Sequence, residues 1–237
     1  MSEIAQERRS RRGGGRDARR QLRSNSTATV TPFIIRQLEP LDILSDEGAE
    51  IIENNAEVIL EEIGIDFRDD PEALTILRDV GCDIQGERVH FPRGLARQLC
   101  STAPASYTQH ARNPARTVEI GGKNIVFAPV YGPPFVRDLN NERRYATMDD
   151  FRNFVKLVYM HPGLHHSGGT ICEPVDLPVT KRHLEMVYAH QRYSDKPYMG
   201  SVTAPSRAQD TVDMSKILFG EEFFANNTVI SSLINAN

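Results

Sequence analysis

Aromatic and acidic side chains follow two apolar stretches in the second half of the sequence. Tyr131 and Phe135 bound a Tyr-Gly-Pro-Pro-Phe loop that comes directly after the apolar run 126–130. Glu173 and Asp176 come after the next apolar run. Aromatic rings can face a ligand, and carboxylates can act as a general acid or base or bind a cationic substrate. Structural alternatives stay open, because Phe135 can pack the loop and the two carboxylates can cap backbone N–H groups around the intervening proline.

Cys172 and the adjacent pair His165 and His166 are further residues with chemical potential. Cys172 has no evident base partner in the sequence, so we expect a small buried core residue rather than a nucleophile. Adjacent side chains on a strand point to opposite faces, so the two histidines are not expected to share a metal ion. The three cysteines are scattered without metal-ligand spacing, and the sequence therefore predicts no metal site.

The elements that must position these side chains are strand-like and helix-like segments, which alternate from residue 126 onward. Strand-like runs begin near residues 126, 164, 196 and 227, with helical patterns between them. This alternation is typical of a parallel α/β fold, and four such units are the first half of an eight-stranded barrel. The residues at the four predicted strand ends are Tyr131 and Phe135, Glu173 and Asp176, Ser201 and Thr203, and Asn235 and Asn237. In a barrel these ends face one site.

The fold class predicted for the whole chain is α/β, with three parts. Residues 1–31 form a basic arm that we expect to be disordered in isolation, since it is rich in arginine and glycine and poor in apolar residues. Residues 32–125 form an α+β cap region, in which the helix over 41–65 is predicted to bury a stripe of isoleucines. Residues 126–237 form about four βα units of a TIM-type barrel.

The charge of the chain is uneven. The first 23 residues hold eight arginines and three acidic residues, a charge of +5. Because the net charge of the whole chain is −4, the remaining residues carry −9. A basic arm can bind nucleic acid, pack on an acidic surface of its own oligomer or stay solvated. No aromatic residue lies between the arginines for base stacking, so we favour the last two alternatives over nucleic-acid binding.

The length of 237 residues, with 39% hydrophobic residues, allows a sizeable core. No apolar run is long enough to span a bilayer, and the arginine-rich start lacks the apolar segment of a secretory signal, so we expect a cytoplasmic protein. Four strands cannot close a barrel, and an open parallel sheet covered on one face would leave its other face wet. We therefore expect a truncated chain, a split gene product, or a sheet that is completed by association, as in a homo-oligomer.

Six short motifs, in this order and spacing, resemble the N-terminal half of the trimethylamine methyltransferase family. The resemblance is to the branch without pyrrolysine, whose members act on quaternary amines such as glycine betaine. The motifs are Arg11-Arg12-Gly13-Gly14-Gly15-Arg16 with Ala18-Arg19-Arg20, Leu60-Glu61-Glu62-Ile63-Gly64-Ile65, Tyr131 to Asp138, Asp176-Leu177-Pro178, Ser194-Asp195-Lys196-Pro197, and Ile234-Asn235-Ala236-Asn237. They cover nearly the whole chain.

The resemblance implies an eight-stranded α/β barrel of about twice this length. It implies transfer of a methyl group from a quaternary or tertiary methylated amine to a corrinoid, which a separate partner protein carries and this chain does not bind directly. The substrate-binding residues expected from the strand ends are then Tyr131, Phe135, Glu173, Asp176, Asn235 and Asn237, while no catalytic residue is identified. This polypeptide alone is expected to be inactive. The alternative is a non-enzymatic binding or scaffold piece, one partner of a split barrel.

Overall fold

The structure, a computed structural model, describes residues 32–234, and these residues mix helices with short strands as an α/β chain does. The helices of this range are α1 (Asp46–Val58), α2 (Pro71–Asp79), α3 (Leu95–Cys100), α4 (Met148–Met160), α5 (Val179–Tyr193), α6 (Pro205–Phe219) and α7 (Glu221–Asn226). The strands are β1 (Ile34–Ile35), β2 (Ile65–Asp66), β3 (Asp83–Gln85), β4 (Arg88–His90), β5 (Ser106–Gln109), β6 (Val118–Gly121), β7 (Asn124–Ile125), β8 (Phe135–Arg137), β9 (Arg143–Tyr145), β10 (Tyr198–Met199) and β11 (Ile230–Ser231). The arm predicted for residues 1–31 lies outside the described residues.

The described chain divides into two compact units. Ile35–Tyr107 and Gly121–Lys123 form the first, here called the N-terminal unit. Residues 32–34, Thr108–Ile120 and 124–234 form the second, here called the C-terminal unit. Each unit is described separately below.

The N-terminal unit is built from α1 to α3 and a small antiparallel sheet in the order β2, β4, β3. Ser45 caps α1 by accepting a hydrogen bond from the N–H of Gly48 at 3.2 Å. The helix continues as a π-helical turn over Ile59–Ile63 and ends at Gly64, whose φ of 73° suits glycine. The helix predicted over residues 41–65 is therefore confirmed from Asp46 to Ile63.

The predicted burial of the isoleucine stripe on this helix is wrong. Ile51, Ile52, Ile59 and Ile63 are 54, 57, 53 and 57% exposed. The strands of the neighbouring sheet are two or three residues long, and they bury Cys82 and Val89 instead. A sheet of this size has too little surface to cover a helix of four turns, so the apolar face of α1 stays accessible.

The core of the C-terminal unit lies where α4 and α5 pack together. Thr147 and Asp150 form a capping box that starts α4, with the Asp150 carboxylate 2.9 Å from the N–H of Thr147. The buried core residues are Val136, Ala146, Met148, Phe151, Val155, Val158, Ile171, Cys172 and Ala189. The prediction that Cys172 is a buried core residue is confirmed, and burial raises the pKa of its thiol to about 12.

Four extended segments of this unit are hydrogen-bonded to one another in chain order. The His165 N–H donates to the Phe127 carbonyl at 2.9 Å, and the Ser167 N–H donates to the Pro197 carbonyl at 2.8 Å. Gly200 then donates to Ser231 at 2.8 Å, beside the parallel pair of β10 and β11. Between residues 32 and 234 no closed barrel is formed.

The regular strands predicted near residues 126 and 164 are wrong. Both segments are extended without a continuous ladder, because Pro129 lacks an N–H donor and the second segment turns at Gly168. An antiparallel hairpin of β8 and β9, which the sequence analysis did not predict, follows the first segment. None of the helices described here is long and apolar enough to cross a membrane.

Candidate functional site

A cleft of about 220 Å³ opens in the C-terminal unit where the extended segments end and α5 and α6 begin. Its walls include Tyr131, Glu173, Arg182, His183, Thr203 and Arg207. The first two follow the first and second extended segments, and Thr203 follows the third. The order of the segments therefore brings these side chains to one place, as expected for the carboxyl ends of neighbouring strands.

The ring of Tyr131 forms one wall of this cleft and is held by a close approach of the backbone. A Cβ atom at Gly169 would lie 2.9 Å from Tyr131 Cε2 and 2.9 Å from Met199 Cβ, so a larger residue at this position would push the ring away. The next residue, Gly132, donates its N–H to the Thr170 carbonyl at 2.7 Å. Tyr131 stays 42% exposed, which leaves much of the ring accessible to a ligand.

Glu173 and Arg182 form an ion pair in the wall of the cleft. The side chain of Arg182 is 13% exposed and that of Glu173 is 48% exposed. The Nε atom of Arg182 is buried without a hydrogen-bond partner among the described residues. The guanidinium thus neutralises the carboxylate and retains an unused donor.

Two further polar side chains border the cleft from α5 and α6. Arg207 donates from Nη1 to Thr203 Oγ1 at 2.7 Å, and no carboxylate within residues 32–234 lies at ion-pair distance from it. His183 is 5% exposed, and its Nε2 lies 2.7 Å from Asp210 Oδ2. When the neutral ring donates Nε2–H to this carboxylate, Nδ1 is an acceptor, and Nδ1 is buried with no partner in the described structure.

The N-termini of α5 and α6 lie at the same cleft. Val179, the first residue of α5, lines it, as does Thr203, two residues before α6 begins. Neither helix has a side-chain hydrogen bond at its N-cap, since these positions hold Pro178 and Ala204. α6 begins with Pro205, which has no N–H, and the N–H groups of Lys181 and Arg207 are bonded to the carbonyls of Pro178 and Ala204. The positive potential at these two ends therefore comes mainly from the helix dipole. One side of the cleft therefore attracts anions.

A fully buried polar network lies behind the cleft. His190 Nε2 is 2.7 Å from the Gly169 carbonyl, which only accepts, so Nε2 carries the proton and Nδ1 accepts from Ser167 Oγ at 2.7 Å. His166 accepts on Nδ1 from the Gly168 N–H at 2.9 Å and donates from Nε2 to Gln109 Oε1 at 3.2 Å. Burial lowers the pKa of His166 to about 3 and that of His190 to about 4. Both rings are therefore neutral supports of the extended segments.

The predicted substrate-binding residues are distributed over several places. Tyr131 and Glu173 line the cleft together. Phe135 instead lines a separate apolar cavity of about 390 Å³, where its ring lies under the Arg143 guanidinium at 3.8 Å. Asp176 accepts a hydrogen bond from the N–H of Met148 at 2.8 Å and so caps the start of α4. Asn235 and Asn237 lie outside the described residues.

The adjacent residues His165 and His166, which the sequence predicts not to share a metal ion, make separate contacts. His165 accepts from the Phe127 N–H on Nδ1 at 3.0 Å, whereas His166 bonds to Gly168 and Gln109. Within residues 32–234 no group of three histidine, cysteine or acidic side chains is arranged to hold a metal ion.

Sequence reasoning missed Arg182, His183, His190 and Arg207. One signal was present, because His183 and His190 share a helical face with the buried Val187. Histidines on an apolar stripe indicate buried polar contacts. For the two arginines the sequence has no such signal, since solvated arginines are common on helices that cover a sheet.

Comparisons with known proteins give a consistent result. The Trimethylamine methyltransferase (MTTB) family model matches residues 11–237. Over 200 residues, the chain is 43% identical to the glycine betaine methyltransferase of Desulfitobacterium hafniense (strain Y51). This match covers 84% of this chain and 42% of that protein. Over 193 residues, it is 28% identical to the proline betaine:corrinoid methyltransferase of Eubacterium limosum. This match covers 76% of this chain and 38% of that protein. The chain therefore spans about two fifths of the length of these relatives.

Proposed function

Because the chain belongs to the trimethylamine methyltransferase family, we propose that it takes part in moving a methyl group from a methylated amine to a corrinoid on a separate protein. The observation that carries this proposal is the cleft in which Tyr131 and Glu173 lie together. An aromatic face and a carboxylate are the groups that bind a methylated ammonium ion. The names of the two relatives, a glycine betaine methyltransferase and a proline betaine:corrinoid methyltransferase, support the same reaction.

The role proposed for the cleft is to bind and orient the amine. A quaternary nitrogen has no N–H to donate, so attraction to the Tyr131 ring and to the charge of Glu173 replaces hydrogen bonding. In the reaction the C–N bond breaks, the electron pair stays on nitrogen, and the methyl group passes to the corrinoid. Fixing the ammonium fixes the direction in which the methyl group leaves, and orientation of this kind can lower the barrier substantially.

The cleft and the apolar cavity, both in the C-terminal unit, are smaller than a corrinoid ring would need. The cleft holds about 220 Å³ and the apolar cavity about 390 Å³, volumes that suit small molecules. We therefore propose that no corrinoid is bound directly and that a corrinoid protein is the partner. The word corrinoid in the name of one relative supports this partner.

We also propose that residues 126–237 are the first half of a TIM-type barrel and that residues 32–125, which precede it in the chain, form a separate α+β region. The hydrogen bonds that join four extended segments in chain order support this architecture. The exposed isoleucines of α1 support a homo-oligomer, because an apolar face of this kind is often covered by association. Since the chain matches about two fifths of its relatives, we propose that it binds the amine but is inactive in methyl transfer by itself.

The alternative is a non-enzymatic binding or scaffold piece that completes a split barrel. Leu233 and Ile234 follow β11 and are 51 and 80% exposed, which favours association along this edge. A defined oligomer that covers this edge and binds no methylated amine would support the alternative.

The test combines partner binding with turnover. The 237-residue chain is mixed with a corrinoid protein that serves a betaine methyltransferase, and complex formation is followed by size-exclusion chromatography. Release of the demethylated amine is followed by mass spectrometry, and binding of methylated amines by calorimetry. We expect a complex and amine binding without turnover. Failure of every methylated amine to bind would contradict the proposed function, and turnover by the chain alone would contradict its inactivity.

A further inference from the structure

We propose that α1 of the N-terminal unit is a self-association surface, on which α1 of a second copy of this chain packs antiparallel about a two-fold axis at Asn55. This inference rests on one part of the proposed function, the homo-oligomer, and adds the interface through which it forms. The proposed role in methyl transfer does not depend on it.

The residues around Asn55 form a pattern that is the same in both directions along the chain. Hydrophobic residues lie three and four positions before it and three and four positions after it, and a glutamate lies two positions to either side. The four hydrophobic residues are Ile51, Ile52, Val58 and Ile59. Helical positions three and four apart share a face, so these four residues and Asn55 form one stripe, here called the Asn55 stripe, while the glutamates lie on the opposite side.

The structure leaves the Asn55 stripe accessible. Its three isoleucines are 54, 57 and 53% exposed, and Asn55 itself is exposed. The opposite side of α1 contacts its own unit, where Glu53 forms an ion pair with Arg97 of α3. A solvated surface helix has the reverse arrangement, with its charged face outward and its hydrophobic face toward the core. The orientation of α1 therefore indicates a contact with another surface.

A second copy of the same helix matches this stripe. In an antiparallel pair with its two-fold axis at Asn55, Ile51 meets Ile59 of the second copy and Ile52 meets Val58 of the second copy. The two Asn55 side chains meet on the axis, where each amide can donate to the carbonyl oxygen of the other. None of the five stripe residues is charged, so the pairing brings no like charges into direct contact. An asparagine pair at such a position also fixes the register of two helices.

The exposed hydrophobic surface continues beyond the stripe at both ends of α1. A helix of 13 residues is only about 20 Å long, so a stable dimer needs further contacts. Leu38, Leu41, Ile43 and Leu44, in the segment before α1, are 80, 88, 90 and 57% exposed, and Ile63 after it is 57% exposed. In the antiparallel pair, the segment before α1 of one copy lies beside the end of the same helix in the other copy. These residues extend the contact in the same way on both sides of the axis.

The first test measures self-association of the 237-residue chain by sedimentation velocity, over concentrations of about 1 to 100 µM. We expect a dimer with a dissociation constant in roughly the micromolar range. Asn55→Asp places two carboxylates on the axis and should weaken the dimer by roughly tenfold or more. Asn54→Asp makes the same charge change at the exposed neighbouring position outside the stripe, and it should leave the dissociation constant within roughly twofold. Thermal unfolding curves show whether both variants keep their fold.

The second test probes the position of the axis by disulfide crosslinking. The exposed Cys100 is first replaced by serine, and a cysteine is then introduced by Asn55→Cys or, as the control, by Asn54→Cys. A residue on a two-fold axis lies next to its own copy, so Asn55→Cys should give a disulfide-linked dimer under mild oxidation. Asn54→Cys points to the side of the helix pair and should crosslink much more slowly.

The outcomes separate this inference from the proposed function. A chain that stays monomeric at all concentrations would show that something other than a second copy covers the stripe, and it would overturn both the inference and the proposed homo-oligomer. A dimer that Asn55→Asp does not weaken, or that crosslinks equally through positions 54 and 55, would overturn the inference while the homo-oligomer stands. Failure of methylated amines to bind would contradict the proposed function without affecting this interface.

Discussion

Ser167 Oγ donates a hydrogen bond to His190 Nδ1 over 2.7 Å in the interior of the C-terminal unit. Burial keeps the imidazole neutral, and because its Nε2–H donates to the Gly169 carbonyl, Nδ1 is the acceptor for the serine hydroxyl. His190 lies on α5, and both of its partners lie on the extended segment that leads to the cleft. The pair therefore connects the protonation state of one buried histidine to the backbone that positions the candidate site.

Acid should destabilise this protein through His166 and His190. Burial lowers their pKa values from 6.5 to about 3 and about 4, so between pH 6.5 and pH 4 the unfolded chain binds more protons than the folded chain. As the pH is lowered through this window, the free energy of unfolding should decrease by about 1.4 kcal/mol per pH unit for each histidine. Urea unfolding at several pH values measures this slope. His190→Gln should reduce it, and the exposed His161→Gln should leave it unchanged, whereas a flat profile in the unmodified protein would contradict the account.

Lys196 should be a major stabilising residue of the C-terminal unit. Its buried ammonium donates to the carbonyls of Val158, His161 and Leu164 at 2.7, 3.1 and 2.6 Å, which satisfies the end of α4. Burial lowers the pKa of Lys196 to about 8, so the group is still protonated at neutral pH. Lys196→Met leaves these carbonyls unpaired and should cost about 3 kcal/mol in chemical denaturation. The exposed Lys181→Met is the control, and equal stability of the two variants would show that the buried contacts contribute little.

Mutations of Asp176 and Glu173 should differ in their effect on amine affinity. Asp176→Ala removes the acceptor for the Met148 N–H and should lower the free energy of unfolding by about 1 kcal/mol without changing amine affinity. Glu173→Gln removes a charge from the cleft and should weaken amine binding. Because it also removes the counter-ion of Arg182, whose side chain is 13% exposed, the variant should lose some stability as well. Thermal unfolding and calorimetry on both variants test this division. Reduced amine affinity in Asp176→Ala with unchanged stability would show that Asp176 contacts the ligand and that its cap contributes little to stability.

Gly169 should control the position of the Tyr131 ring. In Gly169→Ala the new Cβ would lie 2.9 Å from the ring edge, so the ring must move and amine affinity should fall. Gly200→Ala is a useful comparison, because its Cβ would lie 2.3 Å from the Thr211 methyl group and should mainly reduce stability. Affinity in Gly169→Ala equal to that of the unmodified protein would show that the ring position does not matter for binding.

Local signals in the sequence predicted the helices well. Helical patterns were predicted between the strand-like runs of the second half, and α4, α5 and α6 lie there. Ser45, Asp70 and Thr147 each cap a helix by accepting a hydrogen bond from the N–H three positions later. These features depend on neighbouring residues, and the sequence therefore contains them directly.

Features that depend on distant contacts could not be predicted. Gln109 bonds to the Tyr198 carbonyl, 89 residues away, and the ion pair of Glu173 and Arg182 forms across a proline-containing loop. Strand ends correctly suggested that Tyr131 and Glu173 meet, because chain order alone places neighbouring segments side by side. Phe135 does not join them in the cleft. It lies on the hairpin of β8 and β9, which the sequence did not predict, and lines the apolar cavity instead.

The most direct test of the account is contact between glycine betaine and Tyr131. Magnetisation transfer from the Tyr131 ring protons to the ligand methyl groups can be measured by NMR on the 237-residue chain. The account predicts a clear transfer signal that disappears in Tyr131→Ala, together with weaker binding. An unchanged signal and affinity in Tyr131→Ala would show that the amine binds elsewhere, and the proposed role of this cleft would then be wrong.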